Sequence, residues 1–457
     1  MLPLLALALV AASAPPERAP VADVAVVRDG NRWSAALELK QDAPVWVFAK
    51  SVLPRESKQS WRLRTVRVET PGATLQRIGD YDALVAARGN VPREVRLSFV
   101  PFTEDIEAGY DAALAFSGGA VALYTSQFKL VPMPSRSAAI EASPESEKLP
   151  GAERPTHIEF RDRAGDVLFL GQRTDAAVVD DADAYVLFGN ARPQESEALV
   201  TVIDDRLPTW LQAFVLEQLP PVLARYRQQL GPAPIGKPMV MVSWGGAEKD
   251  GVSFGGSVLP GTVVMTIGGK QTLNPERAVG NYARWLVSHE AAHFWLGQAV
   301  RYETPADSWI TEGGAELLAF RAMAAADPTY EVKKRLSRAR AECVPFLRNG
   351  GVASAYARPD DFRAYYACGA IIALAAEQAA GGDFGRFVRA LIDGNRSDGV
   401  VTRADWFAEL GRQGGGKLRG DIAVLLDRRH AKPEAALDAF IARAGIAGAF
   451  AAEPTAQ

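Results

Sequence analysis

The sequence predicts an α+β protein in which an antiparallel β region comes first and a mainly helical region follows. Three features carry this reading: period-two alternation of apolar residues from about Val21 to Val131, strand patterns again as far as Phe188, and long helical runs after Asp204. The 457 residues leave room for two to four domains. Hydrophobic residues at 48% and charged ones at 23% mark a globular chain rather than a largely disordered one. With 51 Lys+Arg against 54 Asp+Glu there is no surplus of positive charge to drive nucleic-acid binding through counterion release, so nucleic acid is not an expected partner.

Along the chain, residues 2–12 form an apolar run followed by Ala12-Ser13-Ala14, the small-x-small pattern read by signal peptidase. Residues 1–14 are therefore expected to be a signal peptide, and the mature chain to be exported, periplasmic or secreted. The run is too short for the roughly 20 residues that cross a bilayer, and no later segment predicts a transmembrane span. A β domain is expected over 21–204. There Trp33, Ala35, Leu37 and Leu39 alternate with polar or small neighbours, as Val95, Leu97 and Phe99 do with Arg96 and Ser98, and Asp29-Gly30 and Pro71-Gly72 supply turns. Residues 132–155 are rich in Pro, Ser, Ala and Glu without periodicity, which predicts an exposed loop or linker. Strand patterns resume at 157–161, 167–170 and 185–188.

The second domain is expected over 205–380, with a helical C-terminal part over 381–457. A helix is predicted over 210–230, where Pro220-Pro221 should break or kink it because proline lacks an N–H. Strands follow at 237–244 and 261–267. Asn274 and Pro275 read as an N-cap and first-turn pair opening a helix to about Leu296. A further helix over 308–326 is expected to be capped by Asp307 and stopped at Asp327-Pro328.

The chemistry concentrates in that second domain. Only four histidines occur in the chain, and two of them stand in His289-Glu290-Ala291-Ala292-His293. On a helix the i, i+4 spacing places both imidazoles on one face, where they can grip one zinc ion with Glu290 beside them. Catalytic zinc takes three protein ligands and keeps a fourth position for water, so a further ligand is needed. Glu312, 19 positions after His293, supplies it, and Gly313 and Gly314 would let its helix approach closely. Glu316, one turn later, is expected to be a surface residue. The two cysteines, Cys343 and Cys368, exclude a cysteine-based zinc scaffold and allow at most one disulfide.

H-E-x-x-H, eighteen residues, then Glu within W-x-x-E-G resembles the gluzincins of the alanyl aminopeptidase and leukotriene-hydrolase family, and 289–316 looks like its members throughout. Tyr366 in Tyr-Ala-Cys-Gly (366–369) matches the family's Tyr-x-x-Gly, and 402–410 resembles a helix start in its catalytic domain. The resemblance implies a β-saddle, a thermolysin-like catalytic domain and a helical tail, one Zn2+ per chain on His289, His293 and Glu312, and a peptide substrate. It also implies that Glu290 is the general base and that a phenol at Tyr366 stabilises the oxyanion, with Tyr365 next door as a rival. One departure stands out. The family's G-x-M-E-N strand, whose Glu holds the substrate's free amine, should lie near 255–267, and no acid occurs there; Glu248, Asp250 and Glu303 are the nearest candidates. The competing reading is an inactive metallopeptidase-like binding or accessory protein of the cell envelope.

Overall fold

The computed structural model describes residues 19–451 except 108–109, 143–148, 181–182, 198, 234–235 and 359–360, so the expected signal peptide lies outside the described residues. The chain forms two compact units. The first comprises the chain up to Leu114 with Val121–Phe169 and Arg173–Gly189, and the second comprises Ala115–Ala120, Leu170–Gln172 and the chain from Asn190 onward.

The first unit is built on a six-stranded sheet in the order Ala177–Asp180, Thr156–Asp162, Ala22–Asp29, Arg32–Leu39, Glu94–Phe99, Val66–Val68. The predicted alternation is realised: Trp33, Ala35, Leu37 and Leu39 are buried while the residues between them are exposed. One pairing departs from the antiparallel expectation, since Ala22–Asp29 runs parallel to Thr156–Asp162. The predicted linker also holds structure. Strand Leu130–Met133 enters it, and helix Arg136–Glu141 follows, started by the Ser135 hydroxyl accepting from the Ala138 N–H at 3.0 Å.

The second unit begins before the predicted boundary at 204. Val200–Ile203 pairs in parallel with Met239–Trp244, which pairs in parallel with Thr262–Gly268, so this stretch is committed to the second unit's sheet by backbone hydrogen bonding. Ser253–Leu259, which periodicity did not mark as a strand and which overlaps the stretch where the resemblance put one, closes one edge antiparallel to Thr262–Gly268. Nor do 381–457 form a body of their own. Phe387, Leu391, Trp406 and Leu426 share one apolar core with Leu286, Trp309 and Ile371.

Helix Thr209–Leu230 runs through Pro220 and Pro221 rather than breaking there. The carbonyls deprived of an N–H are those of Leu216 and Glu217, both on the exposed side, while Leu211, Val215, Leu219, Leu223 and Tyr226 are buried on the other. Burial of that stripe outweighs two missing hydrogen bonds that solvent can replace. Among the described residues no helix is long and apolar enough to cross a membrane.

Cys343 and Cys368 form a disulfide with Cα atoms 4.9 Å apart, joining helix Val332–Asn349 to helix Arg363–Ala379. The bridge closes a loop with a sequence separation of 25. Replacing both cysteines by Ala is expected to cost about 3 kcal/mol, chiefly by freeing the unfolded chain. Urea unfolding checks this, and an unchanged midpoint in the double variant would show that the bridge does not form.

Candidate active site

Three helices of the second unit carry the site. The first, Arg277–Ala292, starts three residues after Asn274, and no side chain caps it; a short 3-10 turn at Lys270–Leu273 precedes it instead. Its end is also earlier than expected. His293 is the C-cap residue, yet it keeps αR dihedrals of −68° and −13°, so the i, i+4 relation to His289 survives. Two contacts from the long Thr209–Leu230 helix region fix this segment: the Tyr226 hydroxyl donates to the Ser288 carbonyl at 3.0 Å, and the Trp295 indole N–H to the Gly231 carbonyl at 3.0 Å.

The second helix is Trp309–Ala326. Asp307 does not cap it, because Asp307 ends a preceding 3-10 turn and turns its carboxylate to Arg403 Nε, 2.9 Å away. The third is Arg363–Ala379. Gly313 and Gly369 allow the second and third to meet backbone to backbone: a Cβ on Gly369 would lie 2.8 Å from the Cα of Gly313. Arg321 and Glu377 add an ion pair between the same two helices.

His289 Nε2, His293 Nε2 and Glu312 Oε2 converge. The two nitrogens are 3.1 Å apart, and the carboxylate oxygen is 3.3 Å from His289 and 3.5 Å from His293. Ligands about 2.0–2.1 Å from a tetrahedral zinc stand roughly 3.3 Å apart, so the three atoms have the spacing of one such coordination face. The protonation pattern agrees. His293 Nδ1 lies 2.8 Å from the Leu296 carbonyl, which can only accept, so Nδ1 carries the proton and Nε2 offers its lone pair to the centre. Lone pairs and a carboxylate aimed at one buried point repel unless protons or a cation lie between them, and a divalent metal satisfies all three donors at once.

Protons respond to the same field. Burial opposes charge on His289, but hydrogen bonding and charge from Glu312 and Glu316 outweigh it and raise its pKa to about 10. For His293, too, burial is outweighed by Glu312. Burial works against the Glu312 carboxylate as well, and the two imidazoles nevertheless hold it well below the usual carboxylate range.

Glu290 is 8% exposed and lies beside this centre. Burial is the main influence raising its pKa, and the neighbouring histidines oppose the rise. Among the described residues its carboxylate has no hydrogen-bond partner. It rests instead on the edge strand Ser253–Leu259, where a Cβ on Gly256 would lie 2.7 Å from Oε1, so a side chain there would displace the carboxylate. Tyr366 stacks on the His289 ring, centroids 5.2 Å apart at 18°, with the Arg363 guanidinium 5.1 Å from its own ring centroid. Burial first, then the Glu312 and Glu290 carboxylates, keep its phenol protonated well above the ordinary range. Tyr365 is fully buried elsewhere, its hydroxyl accepting from the Tyr356 N–H at 2.9 Å. The geometry brings Tyr366 to the site and leaves Tyr365 in the core.

Glu316 is the residue that sequence reasoning misplaced. It is 6% exposed, accepts the Trp285 indole N–H at 2.8 Å, and sits 3.3 Å from His289 Nδ1 on the side away from the centre. Its position one turn after Glu312 was the available signal, but burial of that turn depends on the packing of Trp285. The candidate amine anchors do not join the site. Glu248, Asp250 and Glu303 are exposed, and Asp250 pairs with Lys270 at 3.4 Å.

The architecture is the expected α+β one, with a β unit first and a helix-rich unit bearing the His289, His293 and Glu312 group. Solved structures share this fold. An aminopeptidase N family protein from Idiomarina loihiensis matches with a TM-score of 0.65 at 14% identity, over 90% of this chain and 76% of that one. The M1 zinc metallopeptidase from Deinococcus radiodurans matches at 0.50 and 13%, over 90% and 94%. Native leukotriene A4 hydrolase from Saccharomyces cerevisiae matches at 0.50 and 13%, over 91% and 68%. No protein-family model and no curated protein matches the sequence. The likeness is one of fold.

Proposed function

We propose that this chain is a zinc-dependent peptidase, aminopeptidase-like, in which His289, His293 and Glu312 hold one metal ion and Glu290 is the general base. The observation that carries the proposal is the convergence of those three donors beside a buried carboxylate that has no hydrogen-bond partner among the described residues. Names borne by the fold's relatives, aminopeptidase N family protein and M1 zinc metallopeptidase, support peptides as the substrate class. The disulfide supports an oxidising compartment and so the exported location expected from residues 1–14.

When bound, zinc supplies Lewis acidity and brings the pKa of water it carries towards about 7. Glu290 takes a proton from the attacking water and passes it to the amine nitrogen as the C–N bond breaks. Burial raises the Glu290 pKa, which favours uptake of that proton. The Tyr366 O–H donates a hydrogen bond to the carbonyl oxygen as it gains charge. Gly256 keeps the strand backbone beside Glu290, and Glu316, 3.3 Å from His289 Nδ1, faces that ring from behind.

Zinc analysis of purified protein, combined with amino-acyl and N-blocked peptides as substrates, tests the reading. About one zinc per chain and hydrolysis lost on chelation are expected; full zinc with no cleavage of any peptide would refute it. Because 255–267 has no acid and the nearest candidates are exposed, discrimination between a free and an N-acetylated peptide should be weak. A ratio of kcat/KM above roughly a thousandfold would reveal an amine anchor elsewhere. Tyr366→Phe should lower kcat by roughly 10- to 100-fold with little change in KM, because its hydrogen bond strengthens only as charge develops. An equal loss from Tyr365→Phe would reassign the role.

A further inference from the structure

A cavity of about 710 Å³ lies in the second unit beside the ligand set, a size suited to a small ligand or a side chain with its neighbours. Part of its wall comes from the three site helices, and the rest, with Arg335, Arg338 and Glu342, chiefly from helix Val332–Asn349. Trp285 stands one turn before His289, Glu316 one turn after Glu312, and Arg363 three residues before Tyr366, and all three line it. A helical turn advances about 5.4 Å, which an acidic side chain or one to two residues of extended peptide can span.

The charges around this cavity do not balance. Three guanidinium groups line it, from Arg335, Arg338 and Arg363, against the carboxylates of Glu316 and Glu342. Glu342 is shared between Arg338 at 2.8 Å and Arg363 at 2.9 Å. Glu316 is turned towards His289 and the Trp285 indole. Arg335 is left. It is half-buried, its neighbour is the Tyr330 phenol, and among the described residues it has no carboxylate partner. A half-buried guanidinium facing an aromatic-walled cavity favours a planar anion and disfavours an ammonium group.

We propose that this cavity is a specificity pocket that takes a carboxylate of the substrate peptide, with Arg335 as its main partner. The carboxylate comes from an acidic side chain near the cleaved bond or from the C-terminus of a short peptide. This rests on the peptidase reading, and it makes acidic peptides the substrate class.

The test compares kcat/KM for peptides that differ only as Glu against Gln at each position flanking the cleaved bond, and as C-terminal acid against amide. A preference of roughly tenfold or more for the charged member is expected, and the member that shows it identifies the source of the carboxylate. Arg335→Gln should collapse that ratio towards one, and Arg335→Lys should retain part of it. A ratio near one in the native protein, or one that survives Arg335→Gln, overturns the proposal. If no peptide is cleaved, the same pairs are titrated calorimetrically into the zinc-loaded protein. Carboxylate-dependent binding that Arg335→Gln removes would then uphold the pocket while refuting the peptidase, and equal binding of both members would overturn the pocket too.

Discussion

Glu290→Gln is expected to keep one zinc per chain and to lose peptide hydrolysis by roughly a thousandfold or more. Glutamine has the shape of glutamate, so the contact with Gly256 and the helix geometry at His289 and His293 are retained. What disappears is the ability to take and return a proton, a function worth roughly 10²–10⁴ in rate. Burial penalises the ionised carboxylate in the native state, so the neutral amide should leave thermal stability unchanged or slightly higher. Steady-state kinetics with metal analysis on the same sample decides the matter. Near-native turnover with full zinc would remove Glu290 from the mechanism.

His293→Ala should abolish tight zinc binding. It removes a lone pair that the Leu296 carbonyl has already oriented, and it leaves His289 and Glu312 as a two-donor site. The loss should exceed the roughly 10- to 100-fold that removal of an orienting partner costs, which is the effect expected of Glu316→Gln behind His289. Competition with a chelator of known affinity separates the two variants. Full zinc occupancy in His293→Ala would sink the ligand assignment, and a larger loss from Glu316→Gln than from His293→Ala would exchange their roles.

The meeting of His289 with His293 was legible in the sequence because it is local: a spacing of four residues on a helix defines a face whatever the rest of the fold does. Glu312 was legible from spacing and from the two glycines after it. Properties set by packing were not. Glu316 looks like a surface residue until Trp285 is placed against it, and Arg335 looks like one charge among many until Glu342 is seen to be shared by Arg338 and Arg363. The edge strand Ser253–Leu259 escaped because two adjacent glycines interrupt its apolar pattern, and its conformation is held by pairing with Thr262–Gly268. Pro220 and Pro221 misled for the opposite reason, since a strong local rule was overridden by burial of the helix's far side.

The meeting of Gly313 with Gly369 also bears on how the site can move. Gly313 follows Glu312 directly, and Gly369 lies three residues after Tyr366. Two rods that touch through bare backbone have a fulcrum there: they can tilt about it, but they cannot draw closer, and there is no side chain between them to change rotamer. A tilt would swing Arg363, six residues from Gly369, through a larger arc than Glu312 or Cys368, which both stand next to the contact. Tilting of the third helix should therefore shift Arg363, on the wall of the cavity, further than Tyr366, which lies nearer the contact, so that the cavity changes shape more readily than the ring stacked on His289 is displaced.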